Sequence, residues 1–162
     1  MKKYLLILFV FTTFLYSNSL NLTSKDIIIL KKISSLTDNI NMKYTLMALA
    51  IKESSVGRYM RNDKTNDYGL FQANIKTVIS RQKVKDTKEN RAYFANRLIN
   101  DVAFSTANAI IELQYWQKVH KGSWFKTWSS YNTGWKYKSN TGIKYAKSLF
   151  SIIKKLKLEY QL

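Results

Sequence analysis

The stretch ALAIKESSVGRYMRNDKTNDYGLFQAN, residues 48–74, places one carboxylate where it could act as a general acid. At about 100° per residue, one face of a predicted helix carries Leu46, Leu49, Ala50 and Glu53. Glu53 therefore prolongs an apolar stripe. Desolvation there would raise the pKa of Glu53, which a general acid needs near neutral pH. The alternative is a solvated glutamate at the end of a helix.

Two further motifs follow Glu53-Ser54 in order. The segment GLFQ occupies residues 69–72, and SYNTG occupies residues 130–134. Together these motifs resemble the three successive signatures of the lytic transglycosylase family, lysozyme-like enzymes that cut peptidoglycan. The resemblance extends over about residues 48–146. It implies a mainly α (α+β, lysozyme-like) fold.

The resemblance also implies roles for individual residues. Glu53 would be the sole catalytic acid and base, with Gln72 and the backbone around Gly69 lining the saccharide groove. Tyr131 and Asn132 would face Glu53 across that groove. The full substrate-binding set implied in this way is Ser54, Gly69, Leu70, Phe71, Gln72, Tyr131, Asn132 and Tyr145.

This sequence departs from the family pattern at a few positions. Phe71 stands where a Met is usual, and Ser130 and Thr133 stand where the family has Ala. Asp67-Tyr68 replaces the Ser that often precedes the glycine segment. Phe71 keeps an apolar packing role, whereas Ser130 and Thr133 are small polar changes.

The implied chemistry needs one carboxyl group. Protonated Glu53 would donate to the glycosidic oxygen between MurNAc and GlcNAc, then take the proton of the C6 hydroxyl as a 1,6-anhydro ring closes. A second carboxylate, Asp63 or Asp67, would instead make a water-using muramidase that resembles goose-type lysozymes. We favour turn roles for both aspartates. A non-catalytic, cationic cell-wall-binding module is the alternative from another class.

Charge and composition narrow the partners. Lys and Arg outnumber Asp and Glu by 27 to 10, a formal charge of +17, which favours an anionic partner. We expect peptidoglycan strands and no nucleic acid. There is no cysteine, and the sequence has neither a metal-ligand cluster nor a phosphate-cradling loop, so we predict no metal and no cofactor.

The N-terminus predicts export. Lys2 and Lys3 precede an apolar run, and small residues at 17–19 suit a signal peptidase. We therefore predict a signal peptide over residues 1–19, with an uncleaved anchor as the alternative, and a periplasmic or extracellular catalytic domain over residues 20–162. We expect a monomer. The resemblance is equally compatible with wall turnover and with wall opening for secretion, conjugation or flagellar machinery.

Helical periodicity dominates the mature chain. It predicts a single helical domain with a polar loop or small β-hairpin, within about residues 56–67, beside the active-site cleft. The predicted helices begin after a Thr23 cap and cover about 43–54, a short stretch after Asn74, 88–99, 102–120, a segment through Trp128, and 141–158.

Three predictions concern the faces of these helices. The helix over 102–120 is predicted to align Phe104, Ala107, Ile111 and Tyr115 on one face. The last helix is predicted to turn inward Ala146, Leu149, Phe150, Ile153 and Leu156. Its lysines would be solvated, although peripheral membrane contact is the alternative.

Three tryptophans have two possible roles, and the single histidine has one. Trp124, Trp128 and Trp135 could stack on sugars, but we favour a core position for Trp128 and rim positions for the others. The single histidine, His120, is predicted to be a surface helix residue.

Overall fold

The computed structural model describes residues 19–160, which form one mainly α domain with a small sheet. The predicted signal peptide lies outside the described residues except for Ser19. The α-helices are α1 (Ser24–Ser34), α2 (Ile40–Ser54), α3 (Ile75–Gln82), α4 (Lys88–Asn100), α5 (Val102–Val119), α6 (Trp124–Thr133) and α7 (Asn140–Lys155). A 3₁₀ turn, Gly134–Lys136, follows α6, and a π-helical turn, Leu156–Tyr160, continues α7.

Side-chain caps explain where most of these helices begin. Thr23 and Asp26 form a reciprocal capping box at the start of α1, as the predicted Thr23 cap requires. The caps of α2, α3, α4, α5 and α7 are Asn39, Asn74, Thr87, Asp101 and Ser139, each accepting a backbone N–H. Each cap satisfies a donor that has no partner inside its helix, which fixes the helix start.

The polar loop after α2 contains the predicted hairpin and one further strand. Strands β1 (Arg61–Asn62), β2 (Asp67–Tyr68) and β3 (Ala73–Asn74) form an antiparallel sheet in that order. Tyr68 of β2 pairs with Ala73 of β3. The segment between β2 and β3 contains the GLFQ motif. The sheet holds this segment next to the C-terminal end of α2.

Two hydrophobic clusters support the domain. The larger cluster joins α1, α2, α5, α6 and α7, and its fully buried side chains include Leu30, Leu46, Met47, Leu49, Phe71, Leu113, Leu149 and Leu156. The smaller cluster joins α3 and α4 through Ile75, Val78, Ile79, Phe94, Ala95 and Leu98. Separate clusters leave a cleft between them, and this cleft is where the site described below lies.

The apolar face predicted for α5 is not the face that packs into the protein core. Ile111 and Tyr115 are 46% and 49% exposed, and Ala107 is also exposed. The buried face instead carries Ser105, Thr106, Asn108, Ala109, Leu113 and Trp116. Hydrophobicity alone selected the wrong stripe because the packed stripe contains small polar residues that allow a neighbouring backbone to approach closely.

Two other predictions need correction. Phe150 is 57% exposed, although the rest of its predicted stripe on α7 is buried. His120 is not an unpartnered surface residue, because its Nε2 lies 2.7 Å from Oγ of Ser130 and its ring stacks with that of Trp116. Trp128 is buried, as predicted, and its Nε1 donates to Oγ1 of Thr45 at 3.1 Å.

The amphipathic helix α7 packs into the larger cluster. Its buried residues are Gly142, Tyr145, Ala146, Leu149 and Ile153. Within residues 19–160, none of the helices combines the length and apolar character that crossing a bilayer requires.

Candidate active site

The C-terminal end of α2 is tied directly to the GLFQ segment. Ser54 is fully buried, and its hydroxyl donates to the carbonyl of Leu70 at 2.9 Å. The same oxygen accepts the N–H of Gly57 at 3.0 Å. Ser55 and Val56 then adopt the left-handed region, with φ of 51° and 57°. This conformation is sterically costly for a valine. The hydrogen bonds of Ser54 hold the chain in this tight reversal just after Glu53.

Gly69 allows the GLFQ segment to approach the junction of α4 and α5. Its φ is +82°, and a Cβ at this position would lie 2.8 Å from the carbonyl carbon of Leu98 and 2.9 Å from Oγ of Ser105. Only glycine fits this conformation and this space. The small residue Ser105 on the buried face of α5 is part of the same close approach.

Glu53 is half-buried at the end of α2, and the hydroxyl of Tyr145 donates a hydrogen bond to its Oε1. Burial raises the pKa of Glu53, because desolvation disfavours the ionised carboxylate. The Tyr145 hydrogen bond and the charge of Lys52 lower that pKa in part, whereas the charge of Asp67 raises it. The net result is a carboxyl group that holds its proton to higher pH than an ordinary glutamate.

Glu53 opens into a cleft of about 280 Å³ between the two hydrophobic clusters. Residues from α2, the sheet, α3, α5 and α6 line it: Glu53, Asp67, Gln72, Ala73, Asn74, Thr77, Val78, Arg81, Asn108, Ala109, Glu112, Tyr131 and Asn132. Polar groups dominate this lining. A polar cleft that holds a carboxyl group with a raised pKa, Glu53, suits a hydroxyl-rich substrate.

Tyr131 and Gln72 are held by backbone carbonyls of the GLFQ region. The Tyr131 hydroxyl donates to the carbonyl of Phe71 at 2.9 Å, and burial together with Glu53 raises its pKa well above the usual value. Nε2 of Gln72 donates to the carbonyl of Gly69 at 3.0 Å. Gln72 also has a φ of 47°, a strained conformation of the kind that clusters at functional sites.

Comparison with known families decides the classification, since the transglycosylase SLT domain matches residues 33–152. The chain belongs to the SLT transglycosylase family. The seven helices and three-stranded sheet of residues 19–160 form its mainly α, lysozyme-like fold. Membership supports a lytic transglycosylase-like activity in general.

This SLT domain is also similar to a curated phage protein. It is 37% identical over 105 residues to the "Uncharacterized 20.7 kDa protein in vs-regB intergenic region" of Enterobacteria phage T4. The match covers 64% of this chain and 56% of that relative, so the chain spans little more than half of the relative's length. No solved structure matches the chain significantly.

Nine residues of the SLT domain were predicted for the site, and they occupy two positions. Four of them line the cleft: Glu53, Gln72, Tyr131 and Asn132. Tyr145 is not part of that lining, but its hydroxyl donates to Glu53. The other four are buried and do not line the cleft: Ser54, Gly69, Leu70 and Phe71. Their substrate-binding role stays a prediction. In the structure, Ser54 and Gly69 set the GLFQ backbone against α2 and α5.

The two aspartates of the loop differ in position. Asp67 lines the cleft and accepts a hydrogen bond from Nδ2 of Asn74 at 2.9 Å. Asp63 is exposed and accepts from the hydroxyl of Tyr68 at 3.0 Å. Both therefore bond side chains of the sheet, whereas the predicted turn role involved loop backbone.

Sequence reasoning missed an ion pair in the cleft wall of this SLT domain. Arg81 of α3 pairs with Glu112 of α5 and also donates to the carbonyl of Asn108 at 3.2 Å. Nε1 of Trp116 donates to the other carboxylate oxygen of Glu112 at 2.6 Å. The available signal was the helical spacing of Asn108, Glu112 and Trp116, which lie on one face of α5.

Proposed function

We propose that this protein is a peptidoglycan lytic transglycosylase that cleaves the MurNAc–GlcNAc β-1,4 bond and leaves 1,6-anhydro-MurNAc ends. The observation that carries the proposal is Glu53, a carboxyl group with a raised pKa at the wall of a polar cleft in an SLT domain. A raised pKa keeps the carboxyl group protonated to higher pH than an ordinary glutamate, as a general acid requires.

The reaction needs Glu53 twice. Its protonated carboxyl donates to the glycosidic oxygen as the bond from that oxygen to C1 of MurNAc breaks. The acetamido group of the same sugar stabilises the electron-poor C1. The Glu53 carboxylate then accepts the C6 hydroxyl proton as O6 bonds to C1, which closes the anhydro ring and returns Glu53 to its protonated form.

The surroundings of the other carboxylates favour this route over hydrolysis. Within the described cleft lining, Asp67 is engaged by Asn74, and Glu112 is engaged by both Arg81 and Trp116. A water-using muramidase needs a carboxylate available to activate water on the opposite face of the sugar. An intramolecular hydroxyl needs only positioning, which the cleft wall can supply.

The proposal includes export to the cell wall. A signal peptide over residues 1–19 would bring the domain to its substrate, and the formal charge of +17 favours the anionic wall and membrane surface. The binding-module alternative keeps the charge argument but gives no reason for a half-buried carboxyl group. Binding to an anionic polymer would be easier without it.

Solubilisation of purified peptidoglycan tests the catalytic proposal. The mature protein should release soluble fragments, and Glu53→Gln should reduce release by at least about a hundredfold, the lower end expected for loss of a general acid. Asp86→Asn is a matched control, because Asp86 is a surface carboxylate paired with Arg91. Equal release by wild type and Glu53→Gln would exclude Glu53 as the acid.

A further inference from the structure

Three aromatic rings form a ledge beside the cleft. The aromatic ledge consists of Tyr115 and Trp116 at the end of α5 and Trp135 in the 3₁₀ turn. Trp116 is 5% exposed, whereas Trp135 is 68% exposed and Tyr115 is 49% exposed. The ring centroids of Trp116 and Trp135 are 5.2 Å apart, and those of Tyr115 and Trp116 are 4.9 Å apart, both pairs edge to face.

The ledge is continuous with the cleft. Nε1 of Trp116 donates to Oε1 of Glu112 at 2.6 Å, and Glu112 is part of the cleft lining. Arg81, also in that lining, binds the other oxygen of the same carboxylate. In the sequence, Trp135 lies just past the end of α6, soon after cleft residue Asn132. The ledge therefore borders the cleft wall at Glu112.

The buried ring of the ledge is held from several sides. The rings of Trp116 and His120 stack at a centroid distance of 5.9 Å and an angle of 15°. His120 is fixed in turn by Oγ of Ser130 at 2.7 Å and by the ring of Tyr137 at 4.5 Å. Since Trp116 is immobilised, the exposed ring of Trp135 packs on a rigid support. Binding to a pre-organised ring loses less conformational entropy than binding to a mobile one.

We propose that the aromatic ledge is a remote saccharide subsite, where Trp135 stacks on a pyranose ring of the glycan strand outside the catalytic cleft. This inference rests on the proposed function, because it takes the occupant of the cleft to be a glycan. A β-linked pyranose presents a face of C–H groups, which matches the apolar face of an indole, while its hydroxyls stay in water. The subsite binds strands that are long enough to extend past Glu112.

Binding in a Glu53→Gln background separates this subsite from catalysis. Trp135→Ala in that background should bind chitohexaose about tenfold more weakly, as for an exposed aromatic anchor, and should bind chitobiose unchanged. Trp135→Phe should recover most of the affinity, because it keeps a ring. Phe150→Ala is the matched control, since Phe150 is 57% exposed and lies outside the cleft lining. Isothermal titration calorimetry measures all four proteins.

Three results would overturn the subsite. The first is a Trp135→Ala protein that binds chitohexaose as tightly as its parent, and the second is an equal loss from Phe150→Ala. The third is absence of chitohexaose binding by the Glu53→Gln parent. If the predicted binding pattern holds but wild type leaves peptidoglycan intact, the catalytic proposal fails and the subsite stands. Because Trp135 is exposed, its substitution leaves the buried core unchanged, and circular dichroism checks that each variant is folded.

Discussion

The Tyr145 hydroxyl donates a hydrogen bond to Oε1 of Glu53 and thereby joins α7 to the C-terminal turn of α2. Burial raises the pKa of Glu53, and this hydrogen bond opposes part of that rise because it stabilises the ionised form. A residue that must be an acid in one step and a base in the next benefits from both influences. Tyr145 therefore tunes Glu53 rather than simply packing beside it.

Removing this donor should move the alkaline limb of the pH–rate profile to higher pH. In Tyr145→Phe, the Glu53 carboxylate loses its hydrogen bond, so the pKa of Glu53 rises further and the carboxyl stays protonated to higher pH. The alkaline limb of kcat/KM should therefore shift to higher pH. Measurement of peptidoglycan solubilisation across pH checks the shift. An unchanged alkaline limb would show that the hydrogen bond does not influence the acid.

Asp67→Asn should shift the same limb in the opposite direction. The negative charge of Asp67 raises the pKa of Glu53, so its removal should lower that pKa and move the alkaline limb to lower pH. The asparagine oxygen can still accept from Asn74. Asp63→Asn is the control, because Asp63 is exposed and outside the cleft lining. An upward shift with Asp67→Asn would contradict the electrostatic argument.

Glu53→Gln should stabilise the folded protein near neutral pH. In the unfolded chain, Glu53 ionises near pH 4.5, whereas in the folded protein its pKa is higher. The free energy of unfolding therefore falls as pH rises from 4.5 through the folded-state pKa. Glutamine has no such cost. Urea unfolding at pH 7 should show the variant to be more stable, and the difference should vanish below pH 4.5. A stability difference between Glu53→Gln and wild type that grows at low pH would contradict this prediction.

Gly69→Ala should strongly destabilise the fold. The methyl group combines an unfavourable positive φ with overlap against Leu98 and Ser105, for a loss of about 3 kcal/mol in free energy of unfolding. Gly122→Ala isolates the first contribution, because Gly122 has a similar φ of +85° and open space around its Cβ position. It should lose only about 1 kcal/mol. Equal losses would mean that the close approach is not tight.

The sequence predicted the mainly helical fold and indicated Glu53 as the catalytic candidate, a role that stays a prediction. Glu53 continues the apolar stripe of α2, and in the structure it is half-buried, which raises its pKa. Helix starts were predictable from local caps such as Thr23, because a cap and the N–H it accepts are neighbours in the chain. The GLFQ motif was placed beside α2 only through the family resemblance.

Long-range polar contacts were not predictable in the same way. Arg81 and Glu112 lie on different helices, and no local pattern pairs them. The buried face of α5 was misassigned because its packing uses Ser105 and Thr106, which a hydrophobic periodicity treats as exposed. The hydrogen bond of His120 was missed because Ser130 reaches it from α6, whereas its stacking on Trp116 is a local contact along α5.

Non-hydrolytic cleavage by Glu53 can be read from the ends of the released glycan fragments. Mass spectrometry of the soluble products from purified peptidoglycan, with wild type and Glu53→Gln in parallel, identifies those ends. We expect 1,6-anhydro-MurNAc ends from wild type and none from the variant. Reducing MurNAc ends from wild type would contradict this mechanism, because they would show that water, not the C6 hydroxyl, attacks C1.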